Sequence, residues 1–421
     1  MTFRFRAPRV ALGLPLAALS VAVAFALREL QIPPVPTWFY VFAWYPTLAF
    51  LDLLVYALGG DSLLDRPREL AAMLWWSAVI WFLFEAINFR LETWYYVFVP
   101  AHPVERWLGI TVSFATVAPA ILLPARLLER LGVGRALTSR PVAVRPRDLH
   151  LATALGLAGL GAALAWPRLF HPLVWGAVWL LAEPALYRTD PARSLFADVA
   201  AGRWGRIARL LLAGLMAGIL WEAYNAGDRG KWIYTVPFLE DLKVFEMPLL
   251  GFLGFPFFAL EVWTLYHLLA PRTGIRTVLP AALFVGGVLT GMDRRTVTSV
   301  TPSLAGLAAS VDVRERLARA GFEDVFRLAR TPPESLAARA GLSSEAAHAV
   351  REAARLATLR GIGTAHAARL RRAGVATVEE LAAAHPDSLW SKVRGSYRPT
   401  RAEVREWIRA ARAQAADRSN R

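Results

Sequence analysis

Two stretches decide the fold of this chain: WFLFEAINFRLETWYY, residues 81–96, and ILWEAYNAGDRGKWIY, residues 219–234. Each sets a glutamate inside an apolar run, an asparagine three residues later and a W-x-Y beyond it. Glu85 matches Glu222 and Asn88 matches Asn225, both at an offset of 137, while Trp94 matches Trp232 and Tyr96 matches Tyr234 at 138. Upstream, Asp52 and Tyr56 match Glu183 and Tyr187 at 131, and Ser62-Leu63 matches Ser194-Leu195. Self-similarity of this kind signals an internal duplication.

The flanking sequence says what is duplicated. Apolar runs at about 10–27, 37–58, 71–91, 107–128, 150–166, 169–187, 207–227, 247–270 and 277–292 are close to the ~20 residues that cross a bilayer. Of the 421 residues, 56% are hydrophobic, which rules out a disordered chain and argues against a soluble enzyme. The expected fold is therefore all-α: a polytopic membrane bundle over residues 1–292, built as two like-oriented sets of four helices (about 10–128 and 150–270) plus an extra helix at 277–292. The first run follows Arg4, Arg6 and Arg9 as a signal peptide would, but Arg28 and Glu29 close it without a small-residue cleavage site, so it reads as a retained helix.

With the N-terminus in the cytoplasm, the inner segments hold 18 arginines and the outer ones 7 basic residues. This asymmetry orients a multi-pass protein of the cell membrane. The ninth run is short, so the side occupied by the C-terminal part stays open: outside if the run crosses, cytoplasmic if it is re-entrant.

Carboxylates inside lipid are costly and normally face the bundle interior or a water-filled cavity. Glu85, Asn88, Glu222 and Asn225 are thus candidate ligand-binding residues, each Glu–Asn pair sharing one helical face at i, i+3. They are expected to converge at equal depth about an axis along the membrane normal. Glu246 and Glu261 join them by number, and Trp94 and Trp232 by position. The competing reading makes the pairs helix–helix glue and the tryptophans an interfacial belt. Asp52 and Glu183, near inner helix ends, are expected to pair with Arg66 or Arg188. Pro248, Gly251, Gly254 and Pro256 predict a broken eighth run lining a cavity.

The series W-E-x-x-N, G-x-W, E-x-P-L and F-P-F-F over about 40 residues resembles the membrane lycopene cyclase type of domain, through Glu222, Trp232, Glu246, Pro248, Phe257 and Phe258. That resemblance implies acid chemistry on an isoprenoid-like lipid, with Glu222, Glu85 and Glu246 as candidate catalytic acids. It departs where the family carries paired acids after proline, because Leu249 and Leu250 follow Pro248 here.

From Asp293 onward the composition changes: 23 basic against 14 acidic residues, rich in alanine and arginine. RLARAGFEDVFRLARTPPESL from Arg316 matches RLRRAGVATVEELAAAHPDSL from Arg369 at an offset of 53. Between them, LRGIGTAHAARL carries the turn Gly361-Ile362-Gly363. The region 304–413 resembles bacterial tandem helix-hairpin-helix domains, reached through a linker at 293–303 and followed by a disordered end at 414–421. In nucleic-acid-binding members such a glycine turn presents backbone N–H groups to phosphate. Here the first copy has Ala308 and Ser310 in place of the glycines, which favours a protein partner over nucleic acid.

No nucleotide, hydrolase or metalloprotease motif occurs. No cofactor and no metal are expected, and zero cysteines remove thiolate chemistry. The expected function is a membrane binding or scaffold protein for an amphiphilic, isoprenoid-like lipid, with a membrane-embedded enzyme as the alternative.

Overall fold

A computed structural model describes residues 3–236 and 242–419. Helix makes up 73% of it, with little strand, so the fold is all-α. Nine helices among the described residues are long and apolar enough to cross a membrane: Pro8–Glu29, Val35–Ala57, Pro67–Leu91, Pro103–Arg130, Pro146–Ala165, Pro167–Thr189, Gly205–Gly227, Leu249–Leu269 and Ile275–Arg295. They are called spans one to nine below. The ninth has 21 residues, longer than its apolar run, because polar residues at both ends continue the helix.

The chain forms two compact units. The first comprises Met1–Thr93, Val104–Asp228 and Val236–Gly291. In it the fourth span is the most buried and touches the second, third, seventh and eighth. The first span packs on the second and the fifth on the sixth. The seventh and eighth approach closely because a Cβ at Gly214 would lie 2.4 Å from the Phe255 carbonyl oxygen, and one at Gly218 would lie 2.1 Å from the Phe255 ring. The close approach thus uses a G-x-x-x-G on the seventh span, whereas Gly254 of the eighth faces Trp175 of the sixth.

Spans four, six and eight are interrupted. The fourth breaks between Phe114 and Val117. Ser77 of the third span bridges that gap, donating from Oγ to the Phe114 carbonyl and accepting from Ala118 N, each at 2.8 Å. The sixth departs from helical geometry at Trp175 and Gly176, the latter at φ 121°. In the eighth, Leu249–Leu253 is a 3-10 turn and the α-helix begins at Gly254. In apolar surroundings each freed backbone group needs a partner, and neighbouring spans supply one at the breaks in the fourth and the sixth.

The second unit comprises Trp94–Pro103, Arg229–Thr235 and Met292–Arg421. The sequence reading put the first two segments in the membrane domain; they belong instead with the tail. Strands β1 (Trp94–Val97) and β2 (Lys231–Tyr234) pair antiparallel, with Trp94 opposite Tyr234 and Tyr96 opposite Trp232. Tyr96 and Val99 also bridge in parallel to Val297 and Val300. The stretch 293–303 is therefore not a free linker: its Val, Thr and Ser residues suit extended pairing.

Eight helices follow, from Val311–Arg319 to Arg401–Ser419. Their starts recur at the 53-residue spacing, Val325 with Val378 and Pro333 with Pro386. Ser310, at the position equivalent to Gly363, caps its helix by accepting from Val313 N, so the first copy replaces a glycine turn with an N-cap. The core includes Leu317, Phe322, Val350, Leu370, Leu389 and Trp407. The final helix runs through 414–419, where disorder was expected, since Ala, Arg and Gln favour helix; 420 and 421 lie outside the described residues.

Candidate functional site

Glu85, Asn88, Glu222 and Asn225 are all buried. Glu85 is the nineteenth residue of the third span and Glu222 the eighteenth of the seventh, so each lies in the last third of its helix. Trp81, one turn before Glu85, donates its indole N–H to Glu85 Oε1 at 3.0 Å. Asn88 Oδ1 accepts from Thr93 N at 3.0 Å and from Thr93 Oγ1 at 3.2 Å, fastening the end of its own helix.

The two carboxylate-bearing spans share a neighbour. Phe258 of the eighth span lies 5.4 Å from Trp81, 5.1 Å from Phe84 and 6.0 Å from Trp221, ring centroid to centroid. Trp44 of the second span lies 6.2 Å from Trp221 and 5.4 Å from Tyr224. Tyr224 in turn shares a 2.8 Å hydroxyl hydrogen bond with Thr47. The carboxylates at 85 and 222 thus lie on helices whose neighbouring aromatic rings pack against one another.

The other predicted residues separate. Trp94 and Trp232 stand in the β1–β2 ribbon of the second unit. Glu246 is buried between two short strands, β3 (Lys243–Val244) and β4 (Met247–Pro248). Glu261 serves the break in the sixth span. Its Oε1 accepts from Gly176 N at 2.7 Å, Val178 N at 3.2 Å and Trp179 N at 3.4 Å, and its Oε2 has no partner among the described residues.

Asp52 and Glu183 do not pair with Arg66 or Arg188. Asp52 accepts from Ser62 Oγ at 2.5 Å and Leu63 N at 2.8 Å. Glu183 accepts from Ser194 Oγ at 2.6 Å and Phe196 N at 3.1 Å, and Thr264 donates to its other oxygen at 2.6 Å. Both carboxylates cap the short helix that follows their own span in the chain, because the free N–H groups at a helix start draw an acceptor.

Sequence reasoning missed Ser77, Gly176 and Asp228. Asp228 accepts from Tyr40 N at 3.0 Å. The available signal was a glycine after Trp175 within an apolar run and a serine in mid-span.

In the second unit the turn Gly361-Ile362-Gly363 is buried. Gly361 has φ 80° and Gly363 φ 66°. A Cβ on Gly361 would lie 2.3 Å from Val97 Cγ1, and one on Gly363 2.8 Å from Ser299 Cβ. The glycines therefore serve left-handed backbone and close approach at once. Their contact is a polypeptide segment of the same unit rather than open solvent.

Behind the turn lies a polar interior. His366 Nε2 is 3.0 Å from the Thr298 carbonyl oxygen, and its ring centroid lies 4.9 Å from that of Trp407. Burial holds the His366 pKa below its ordinary value, Arg369 and Arg398 push the same way, and Glu403 opposes them. Burial raises the Tyr95 pKa well above the usual range, with Glu403 and Glu406 adding to it. Glu403 is fully buried and accepts from Arg398 Nη1 at 2.8 Å and Thr400 N at 2.6 Å. Within the same unit, Arg229 pairs with Asp324 at 2.9 Å and lies over the Phe326 ring at 4.3 Å.

Residues 308–414 match a family described as a domain of unknown function (DUF4332). Neither a curated protein nor a solved structure matches the chain.

Proposed function

We propose that this chain is an integral membrane binding and scaffold protein, with a ligand site in the bundle and a clasp in the tail. The observation that carries the tail's role is the seating of Gly361 and Gly363 on Val97 and Ser299. A helix-hairpin-helix turn that meets polypeptide in this way is a protein-interaction element. Its phosphate-facing position is filled by the chain's own β1 and 297–300 segments, which argues against duplex binding.

In the bundle, the buried Glu85, Asn88, Glu222 and Asn225 with their aromatic surroundings support a site for an amphiphilic, isoprenoid-like lipid. The like capping roles of Asp52 and Glu183 support a duplicated 4+4 architecture with one added span. Nine crossings from a cytoplasmic N-terminus put the segments after spans three, seven and nine on the outer face. Their membership of one compact unit fits that topology.

The test is lipid extraction from purified protein followed by mass spectrometry. A discrete lipid should accompany the wild type and be lost from Glu222→Leu, while Glu222→Gln, which keeps shape and a hydrogen-bonding end, retains part of it. No specific lipid in the wild type, or the same lipid in all three, refutes the binding site. Conversion of an added isoprenoid by wild type but not Glu222→Gln would identify the cyclase-like enzyme instead.

A further inference from the structure

We infer that the segment Trp390–Arg401 forms a docking surface for anionic phospholipid headgroups of the membrane in which the ninth span sits. Tyr397 is 58% exposed and is the only strongly exposed aromatic among the described residues of the second unit. A single exposed ring needs no explanation by itself; what sets this one apart is where it stands and which charges surround it.

The position of that tyrosine names the partner. Arg295 is the last residue of the ninth span, whose 21 residues rise about 31 Å, the thickness of a hydrocarbon core. Arg295 thus stands at the headgroup level. Its guanidinium lies 5.1 Å from the Tyr397 ring centroid, and Arg398 Nε donates to the Arg295 carbonyl at 2.5 Å. Two contacts therefore hold the 397–398 corner at the end of a membrane helix.

The surrounding chemistry suits phosphate. Trp390 is flanked by Arg394 at 5.5 Å and Arg401 at 4.5 Å from its ring centroid. Lys392 and Arg394 are exposed and have no carboxylate partner among the described residues. Arg401 has only a loose approach to Asp387, at 3.9 Å, and the nearby Glu403 is buried and engaged by Arg398. Tryptophan and tyrosine favour the membrane interface, and basic side chains there attract anionic lipid. A bilayer surface satisfies all three features: an apolar ring, unpaired positive charge and fixed attachment to a helix end.

Photocrosslinking tests this in the full-length protein. A photoreactive phenylalanine analogue is placed at Tyr397 or, as control, at Val311, the other strongly exposed apolar residue of the unit. Each protein is reconstituted in vesicles of equal phosphatidylglycerol and phosphatidylcholine. Position 397 should yield phospholipid adducts enriched in phosphatidylglycerol, and position 311 should not. Combining Lys392→Gln and Arg394→Gln should cut the enrichment by about fivefold for each charge removed. Added inorganic phosphate should not compete at concentrations that leave the vesicles intact. Equal lipid yield at 311, an adduct to protein at 397, no lipid adduct at 397, unchanged enrichment in the glutamine variant or full competition by phosphate would each overturn the proposal.

Discussion

The Glu261 carboxylate of the eighth span accepts the Gly176 amide of the sixth at 2.7 Å. It closes the break that Gly176, at φ 121°, makes in that span. The relationship is reciprocal, because Glu183 of the sixth span accepts from Thr264 of the eighth. Two carboxylates thus tie the same pair of helices at separate points. Glu261 reads as part of the scaffold that shapes the bundle.

A substitution series follows from this. Glu261→Leu strands the amides of Gly176, Val178 and Trp179, and each unsatisfied buried donor costs about 1–3 kcal/mol. The expected loss is about 3 kcal/mol or more, seen as a lower melting temperature in detergent. Glu261→Gln keeps an acceptor oxygen and should stay within about 1.5 kcal/mol of wild type. Equal melting of wild type and Glu261→Leu would refute the bridging role.

The glycine turn gives a paired comparison. Gly374→Ala meets open space at φ 87°, so its cost is backbone strain alone, about 1–2 kcal/mol. Gly361→Ala carries similar strain and drives a Cβ into Val97, which adds about 1–3 kcal/mol of overpacking. Chemical denaturation of the full chain should rank Gly361→Ala below Gly374→Ala. Val97→Ala should recover part of the Gly361→Ala loss, and a strictly additive pair would mean that the turn does not seat on β1.

The helical class and the nine apolar helices were legible because a bilayer fixes run length and forbids unsatisfied backbone. Contacts distant in sequence were not. Gly176 and Glu261 are 85 residues apart, and nothing local to either announces the other. The two W-x-Y motifs read as an interfacial belt because the same aromatic residues favour membrane interfaces and β-strands. Only the pairing of β1 with β2 distinguishes the two. The linker 293–303 was misread for a related reason: its small and β-branched residues suit a loop until a strand is present beside them. Burial of the Glu–Asn pairs followed directly from the cost of placing them in lipid, whereas the capping task of Asn88 depended on the turn that Thr93 makes.

Acid should loosen the second unit through His366. Its folded-state pKa lies below the ordinary 6.5, chiefly through burial, so the folded form disfavours the proton that the unfolded chain takes up at 6.5. The contribution of neutral His366 is complete above about pH 6.5 and is lost as pH falls toward the lowered value. Glu403 softens the effect and Arg369 and Arg398 strengthen it. Hydrogen exchange of the helix Gly363–Arg372 in the full chain should therefore quicken, after correction for intrinsic rates, between about pH 7 and pH 5. His366→Gln, which can still donate to the Thr298 carbonyl, should flatten that dependence. A variant with the wild-type pH response would assign it to other groups.

The last prediction concerns sidedness. Residues 94–103, 229–235 and 292–421 form one compact unit, so the expectation is that all three segments occupy one side of the membrane. That requires an even number of crossings between any two of them. Spans four to seven supply four crossings, and spans eight and nine supply two. The prediction is therefore that the ninth span crosses fully, which its 21-residue length permits. With the N-terminus in the cytoplasm, reporters inserted after His102, after Arg229 and after Arg421 should all read outside, and one after Arg66 should read inside. Accessibility labelling of single cysteines at the same points offers an independent check, since the chain has none of its own. A cytoplasmic Arg421 with an external His102 would make the ninth helix re-entrant and split the second unit, and the clasp of Gly361 on Val97 would fail with it.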